Sequence, residues 1–229
     1  MHPVALDWIR AVGRLALALV LLGTALAIAV FVVSRPMIAA AVYRFSVSPA
    51  HRETAGSIIE WVVEGRGGGP LPLNWLAGTM TLKEAKHYSD VRRRLRWNCW
   101  FAWTGFSLVL LARCSEPWAQ WMCEALRSAL RLFLCLALLS AVWASLDWRS
   151  YFYAVHSAFF PEGSWRFPSG SVSVQVFPGR YWQAMLGLVV IGATGLLGLG
   201  QTLFRIPVQT LKTTVERQLH FPSTTTKIP

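Results

Sequence analysis

Leu15-Ala-Leu-Ala-Leu-Val-Leu-Leu-Gly-Thr-Ala-Leu-Ala-Ile-Ala-Val-Phe-Val-Val-Ser34 is a run of 20 residues without a charge. Wound as a helix at 1.5 Å per residue it extends about 30 Å, the thickness of a bilayer's hydrocarbon core. A signal peptide is the rival reading, since Arg10 and Arg14 precede the run and Ala27-Ile-Ala29 resembles a cleavage site. The run is longer than the 7–15 apolar residues of a signal-peptide core, which favours a span. No Cys follows Leu21-Leu22-Gly23, so the chain has no lipoprotein-precursor signature of its own.

Working outward, a second uncharged stretch runs from Tyr181 to Phe204, with Tyr181 and Trp182 at its start where interfacial aromatics are expected. Two shorter stretches, Trp97–Ala112 and Leu132–Leu146, lie between them; the latter is lengthened by Arg127 and Arg131, whose stems can reach the interface. With 54% hydrophobic and 14% charged residues, the whole chain lies on the apolar side of soluble proteins. The expected fold is therefore an all-α integral membrane protein: one domain over 1–229, a four-transmembrane-helix bundle with spans at about 15–34, 97–113, 127–146 and 181–204. The loops 35–96 and 147–180 fall together on one side and carry short amphipathic helices.

Charge does not orient this bundle. Ten of the 22 basic residues lie in loop 35–96, including Arg92, Arg93, Arg94 and Arg96, while Arg10, Arg14, Arg113, Arg127, Arg131, Arg205 and Lys212 flank the opposite ends. The net charge of +11 suits anionic lipid headgroups, and no nucleic-acid module accompanies it. Most of the 12 Trp residues read as an interfacial belt. Cys99, Cys114, Cys123 and Cys135 form no C-x-x-C pair and predict no disulfide.

Within loop 35–96, Ser57–Glu64 places Ile58, Trp61 and Val62 on one helical face, which predicts a short helix lying on the membrane and ended by Gly65. Gly67-Gly68-Gly69-Pro70 reads as a hinge and lacks the Lys-Ser/Thr of a phosphate-binding loop. Thr81-Leu-Lys-Glu84 has the form of a capping box, starting a helix that puts His87, Asp90, Val91 and Arg94 roughly on one face. In loop 147–180, aromatics alternate with turn formers from Phe160 to Pro168, and Ser171–Val176 reads as a short extended segment. A loop of that composition can fold back over a site. The tail 223–227 reads as a solvated end.

His87 and His156 are the residues with the most chemistry, because imidazole exchanges protons near neutral pH. Taken singly, each fits an ordinary surface histidine. Asp90, one turn beyond His87, is placed to fix its tautomer. The rival is a metal site made of His87, His156 and Asp90 or Glu84, a two-His, one-carboxylate set that lacks a zinc signature. There is no G-x-S-x-G or S-x-x-K pattern to support a serine nucleophile. A non-catalytic membrane assembly factor is the remaining alternative.

The combination Glu84-x-x-His87-x-x-Asp90-Val91, His156-x-x-Phe159-Phe160, Gly163-x-Trp165-x-Phe167, Phe177-Pro178 and Tyr181-Trp182 resembles the lipoprotein intramolecular transacylase family. The resemblance implies a bacterial cytoplasmic-membrane enzyme whose two loops face outward and whose substrate is a diacylated lipoprotein. The implied reaction moves the sn-2 acyl chain to the α-amine of the lipoprotein's N-terminal Cys, giving the lyso-form, with no cofactor. On that reading His87 is the general base, oriented by Asp90, and His156 is the acid or oxyanion donor. Glu84, Phe160 and Trp165 line the substrate, and the other expected partners are membrane lipids.

Overall fold

The computed structural model describes residues 3–65, 71, 74–75, 78–113 and 116–205. The expected Gly67–Gly69 hinge, Cys114 and the polar tail lie outside these residues. The chain forms α1 (Pro3–Val33), α2 (Pro36–Ser46), a 3-10 turn (Pro49–His51), α3 (Arg52–Glu64), α4 (Leu82–Arg113), α5 (Glu116–Leu146), α6 (Trp148–Phe159), α7 (Val172–Val176) and α8 (Gly179–Arg205). Between α3 and α4 a two-residue strand β1 (Asn74–Trp75) pairs antiparallel with β2 (Gly78–Thr79). Otherwise the described residues are helical or irregular.

Three helical stretches are long and apolar enough to cross a membrane: Ala11–Val33, Gln120–Leu146 and Gly179–Arg205. The expected span at 97–113 is not among them. Its 16 uncharged residues between Arg96 and Arg113 give only about 24 Å of helix, and Asn98, Thr104 and Ser107 lower its hydropathy. It nevertheless completes a bundle: α1 packs against α4, α5 and α8, while α5 touches α4 and α8.

Small residues set the helix spacing. Ala125, Ala129 and Ala193 are fully buried, with Ala18, Ala25 and Ala29 nearly so. Helices with such seams approach closely, which is how association proceeds where lipid removes the hydrophobic drive. Gly105 of α4 lies directly against the Thr24 side chain of α1. Nearby, the Asn98 amide donates to the Ala27 carbonyl oxygen at 2.8 Å, so a polar side chain within the bundle is paired across helices. Outward, Leu108, Leu111, Leu138, Leu139, Ile191 and Leu199 are exposed, as expected of surfaces facing lipid chains.

A second core stands apart from this bundle. Ala39, Ile58, Trp61, Val62, Met80, Tyr88, Val172, Val176, Phe177 and Tyr181 pack together, drawing on α2, α3, the first turns of α4, α7 and the start of α8. This corrects the expectation for α3. Its apolar face carries Ile58, Trp61 and Val62 as read, but they are buried against the chain itself rather than laid on the membrane. Gly65 ends α3 with φ +70°, the left-handed geometry glycine adopts without strain.

The expectation of an extended Ser171–Val176 is also corrected, because Val172–Val176 is the helix α7. Ser171 caps it, its side chain accepting from the Val174 N–H at 3.4 Å, and the alternation of Val and polar residues is outweighed by that cap.

The close α1–α4 seam has a measurable consequence. Adding a methyl in Gly105→Ala forces Thr24 to move, although its hydroxyl is bonded to the Val20 carbonyl at 2.8 Å. A loss of about 1–3 kcal/mol is expected. Gly195→Ala, which meets nothing within 4 Å, should be neutral or mildly stabilising. Thermal unfolding in detergent distinguishes them, and equal midpoints would refute the seam.

Candidate active site

The site is assembled on a helix that begins well before its apolar stretch. α4 begins about 15 residues before Trp97, so its first turns project roughly 22 Å past the start of the apolar stretch and carry His87 with them. The capping box read from sequence starts this helix: Glu84 N–H donates to the Thr81 hydroxyl oxygen at 3.2 Å, and Thr81 N–H donates to Glu84 Oε2 at 2.8 Å. Glu84 Oε1 reaches across the chain and accepts the Ser173 N–H at 2.9 Å. Burial works against ionising this carboxyl, but the donors from Ser173 and Thr81 outweigh it and hold the pKa below its ordinary value.

One residue earlier, Lys83 Nζ donates to the Arg166 carbonyl oxygen at 2.8 Å. Adjacent side chains of α4 thus hold two points of the 160–173 loop. That loop folds over His87, with the Phe160 ring 4.8 Å and the Phe167 ring 5.6 Å from the imidazole centroid. His87 is 9% exposed as a result, and its Nδ1 has no hydrogen-bond partner among the described residues.

His156 arrives on the last turn of α6, a helix capped by Asp147 through the Ser150 N–H at 3.0 Å. Its ring lies 3.8 Å from Phe152, 5.1 Å from Trp165 and 6.1 Å from Trp182. Phe160 is 5.9 Å away, so one phenyl ring touches both histidines. Two loops separated by nearly 70 residues of sequence therefore meet at one aromatic cluster.

Electrostatics keep both imidazoles neutral. Burial, then the neighbouring His156, push the His87 pKa down to about 4 against the opposing charge of Asp90. His156 is also lowered by burial, with its bond to the Phe152 carbonyl acting the other way. His156 Nδ1 lies 3.0 Å from that carbonyl oxygen. A carbonyl only accepts, so Nδ1 carries the proton and Nε2 is left as a lone-pair acceptor.

Several expected site residues are placed differently from one another. Phe160 and Trp165 contact the histidines directly, Trp165 at 4% exposure with no hydrogen-bond partner for its Nε1 among the described residues. Glu84 is 1% exposed and both its oxygens hold donors of the chain itself. Asp90 Oδ1 accepts from Arg93 at 2.7 Å, so its carboxylate acts on His87 through space rather than orienting it through a hydrogen bond. The carboxylates of the alternative metal set are thus engaged elsewhere. Among the described residues no three His, Cys, Asp or Glu side chains converge as a ligand set.

Phe152 and Lys83 escaped the sequence reading, and Phe167 entered it only as part of a motif, without a place in the site. Phe152 lies one helical turn before His156, a spacing that signals contact once α6 is known to be a helix. Arg94, one of the basic run assigned to headgroups, has its guanidinium carbon 5.9 Å from the Phe160 ring and so borders the site.

The family model described as lipoprotein intramolecular transacylase matches residues 71–182, which contain every residue of the histidine cluster. A solved structure of the membrane-integral lipoprotein intramolecular transacylase from Bacillus cereus superposes with a TM-score of 0.63 at 12% identity, covering 90% of this chain and 99% of that one. A variant of that enzyme with a histidine-to-arginine substitution gives a TM-score of 0.54, again at 12% identity, over 90% and 97% of the chains. These likenesses speak to the fold. No curated protein matches the chain. The family match over the segment that builds the site, together with the shared fold, makes this membrane protein similar to the lipoprotein intramolecular transacylases.

Proposed function

We propose that the chain moves the sn-2 acyl group of a diacylglyceryl lipoprotein to the α-amine of its N-terminal Cys, releasing nothing and leaving a lyso-form lipoprotein. The observation that carries this reading is the meeting of His87 and His156 at Phe160, inside the family-matched segment. The setting proposed is the bacterial cytoplasmic membrane, with α4 as a fourth span and the histidine cluster on the outer face.

The geometry supports an exchange of the roles expected from sequence. His156 presents Nε2 as an acceptor because the Phe152 carbonyl fixes the other tautomeric proton, which makes it the better general base. The substrate α-amine attacks the ester carbonyl in its neutral form, the fraction left unprotonated by an ammonium pKa near ~8, and the nitrogen of the tetrahedral adduct then passes one proton to His156. His87, kept neutral at physiological pH, acts as a hydrogen-bond donor to the tetrahedral oxyanion, a task that suits a neutral imidazole. When the bond between the acyl carbon and the glyceryl oxygen breaks, His156 returns its proton to that oxygen. Amine and ester belong to one molecule, so holding them together supplies much of the rate, and the downhill change from ester to amide needs no acyl-CoA.

Phe160 and Trp165 offer apolar surface to the acyl chain, Asp90 tunes the potential at His87, and Glu84 acts on the substrate site by tethering the loop. His87 is covered by Phe160 and Phe167, so binding of the ester displaces that clasp.

Mass spectrometry of lipoprotein N-termini from bacteria expressing the chain should show the N-acylated lyso-form. His156→Ala should lower the purified enzyme's rate by about 10²–10⁴-fold and His87→Ala by about 10²–10³-fold. An unchanged lipoprotein profile with the native chain would sink the proposal. The neutrality of His87 has its own signature: the unfolded chain protonates near 6.5 and the folded one near 4, so this contribution to stability is complete above about pH 6.5 and is lost as pH falls toward 4. Thermal melts of the native protein and of His87→Asn between pH 7 and 4 should differ in slope. Parallel slopes would refute a depressed pKa.

A further inference from the structure

The most exposed large apolar side chains outside the membrane helices are Met37 and Phe45, at 86% and 93%. Both belong to α2, whose positions 37, 41 and 45 recur every four residues and so fall on one helical face. The opposite face is spent on the protein: Ala39 is 1% exposed in the second core, and α2 packs against α3 and α8. Among the described residues nothing covers the outer face.

The fold sets the level at which this face lies. α2 starts three residues after α1 ends, and α1 emerges from its membrane span at Val33. The other helix it touches, α8, begins its own span at Gly179, with Trp182 in its first turn. Arg35 folds back with its guanidinium carbon 3.8 Å over the Phe31 ring, a cation held at the end of the apolar segment. α2 is thus tied at the same boundary by two spans, where water meets hydrocarbon. Arg44, in its last turn, is exposed beside the apolar pair.

We infer that α2 is an interfacial anchor whose Met37 and Phe45 insert among the upper acyl chains of the bilayer, while Arg35 and Arg44 meet anionic headgroups. Large apolar side chains beside basic ones on a helix at this level match how interfacial helices bind lipid. The role expected of α3 thereby passes to its neighbour. Because α3 packs on both α2 and α4, the anchor also holds the projecting turns of α4 at a set height above the bilayer. This inference is independent of the acyl-transfer chemistry.

The test uses the native full-length protein, one copy per nanodisc, in phosphatidylcholine and phosphatidylglycerol containing a photoactivatable phosphatidylcholine with a diazirine high on its acyl chain. After illumination, peptides covering Pro36–Ser46 should carry at least about tenfold more lipid adduct than those covering Arg52–Glu64. Phe45→Asp, a change at a site that touches little of the protein, should cut the α2 adducts severalfold while leaving those on α8 unchanged. Equal labelling of α2 and α3 would overturn the inference, as would α2 adducts indifferent to Phe45→Asp. Absent α2 labelling, with α2-to-α2 cross-links in discs holding two copies, would assign the face to a second chain and overturn it equally.

Discussion

The carboxylate of Glu84 is the interaction on which the site's geometry depends. One oxygen takes both donors of Thr81 and so defines where α4 begins; the other takes the Ser173 N–H and so defines where the second loop returns. A buried carboxylate unpaired by these donors would cost several kcal/mol. The same residue therefore holds together two stretches 89 residues apart, and the aromatic cover over His87 follows from that. Lys83, bonded to the Arg166 carbonyl, fixes a further point of the same loop.

Within that cover the aromatic rings determine what the histidines can do. Phe160, Phe167, Phe152 and Trp165 exclude water from the imidazoles, and exclusion disfavours the charged form. Both bases therefore rest unprotonated. The cost appears at His87 Nδ1 and Trp165 Nε1, buried polar atoms that have no partner among the described residues and so forfeit there a hydrogen bond they would have had in water.

The two cores divide the work. The bundle core of Ala18, Leu22, Ala25, Ala125, Ala129 and Ala193 brings α1, α5 and α8 close through small side chains. The second core, with Ile58, Trp61, Met80, Tyr88 and Val176, is a cap built on the first turns of α4 and α8. α4 belongs to both, since one half lies along α1 and the other carries Tyr88 and His87 into the cap.

Local information determined much of this protein. Uncharged run length revealed α1 and α8, the Thr81–Glu84 spacing revealed the start of α4, and Gly65 marked the end of α3, because each depends on atoms a few residues apart. The histidine motifs were legible too, as was a loop able to fold over them. Tertiary structure alone decided what those groups face. Asp90 sits one turn from His87 yet spends its carboxylate on Arg93; Glu84 binds a distant backbone; and Ser171–Val176 becomes a helix on which that carboxylate closes. An amphipathic pattern states that a face must be covered without stating by what, so α3 buried its face in the protein and α2 was left with its own exposed. The tautomer of His156 turned on one carbonyl oxygen, that of Phe152, whose distance from an imidazole nitrogen only the folded α6 could set.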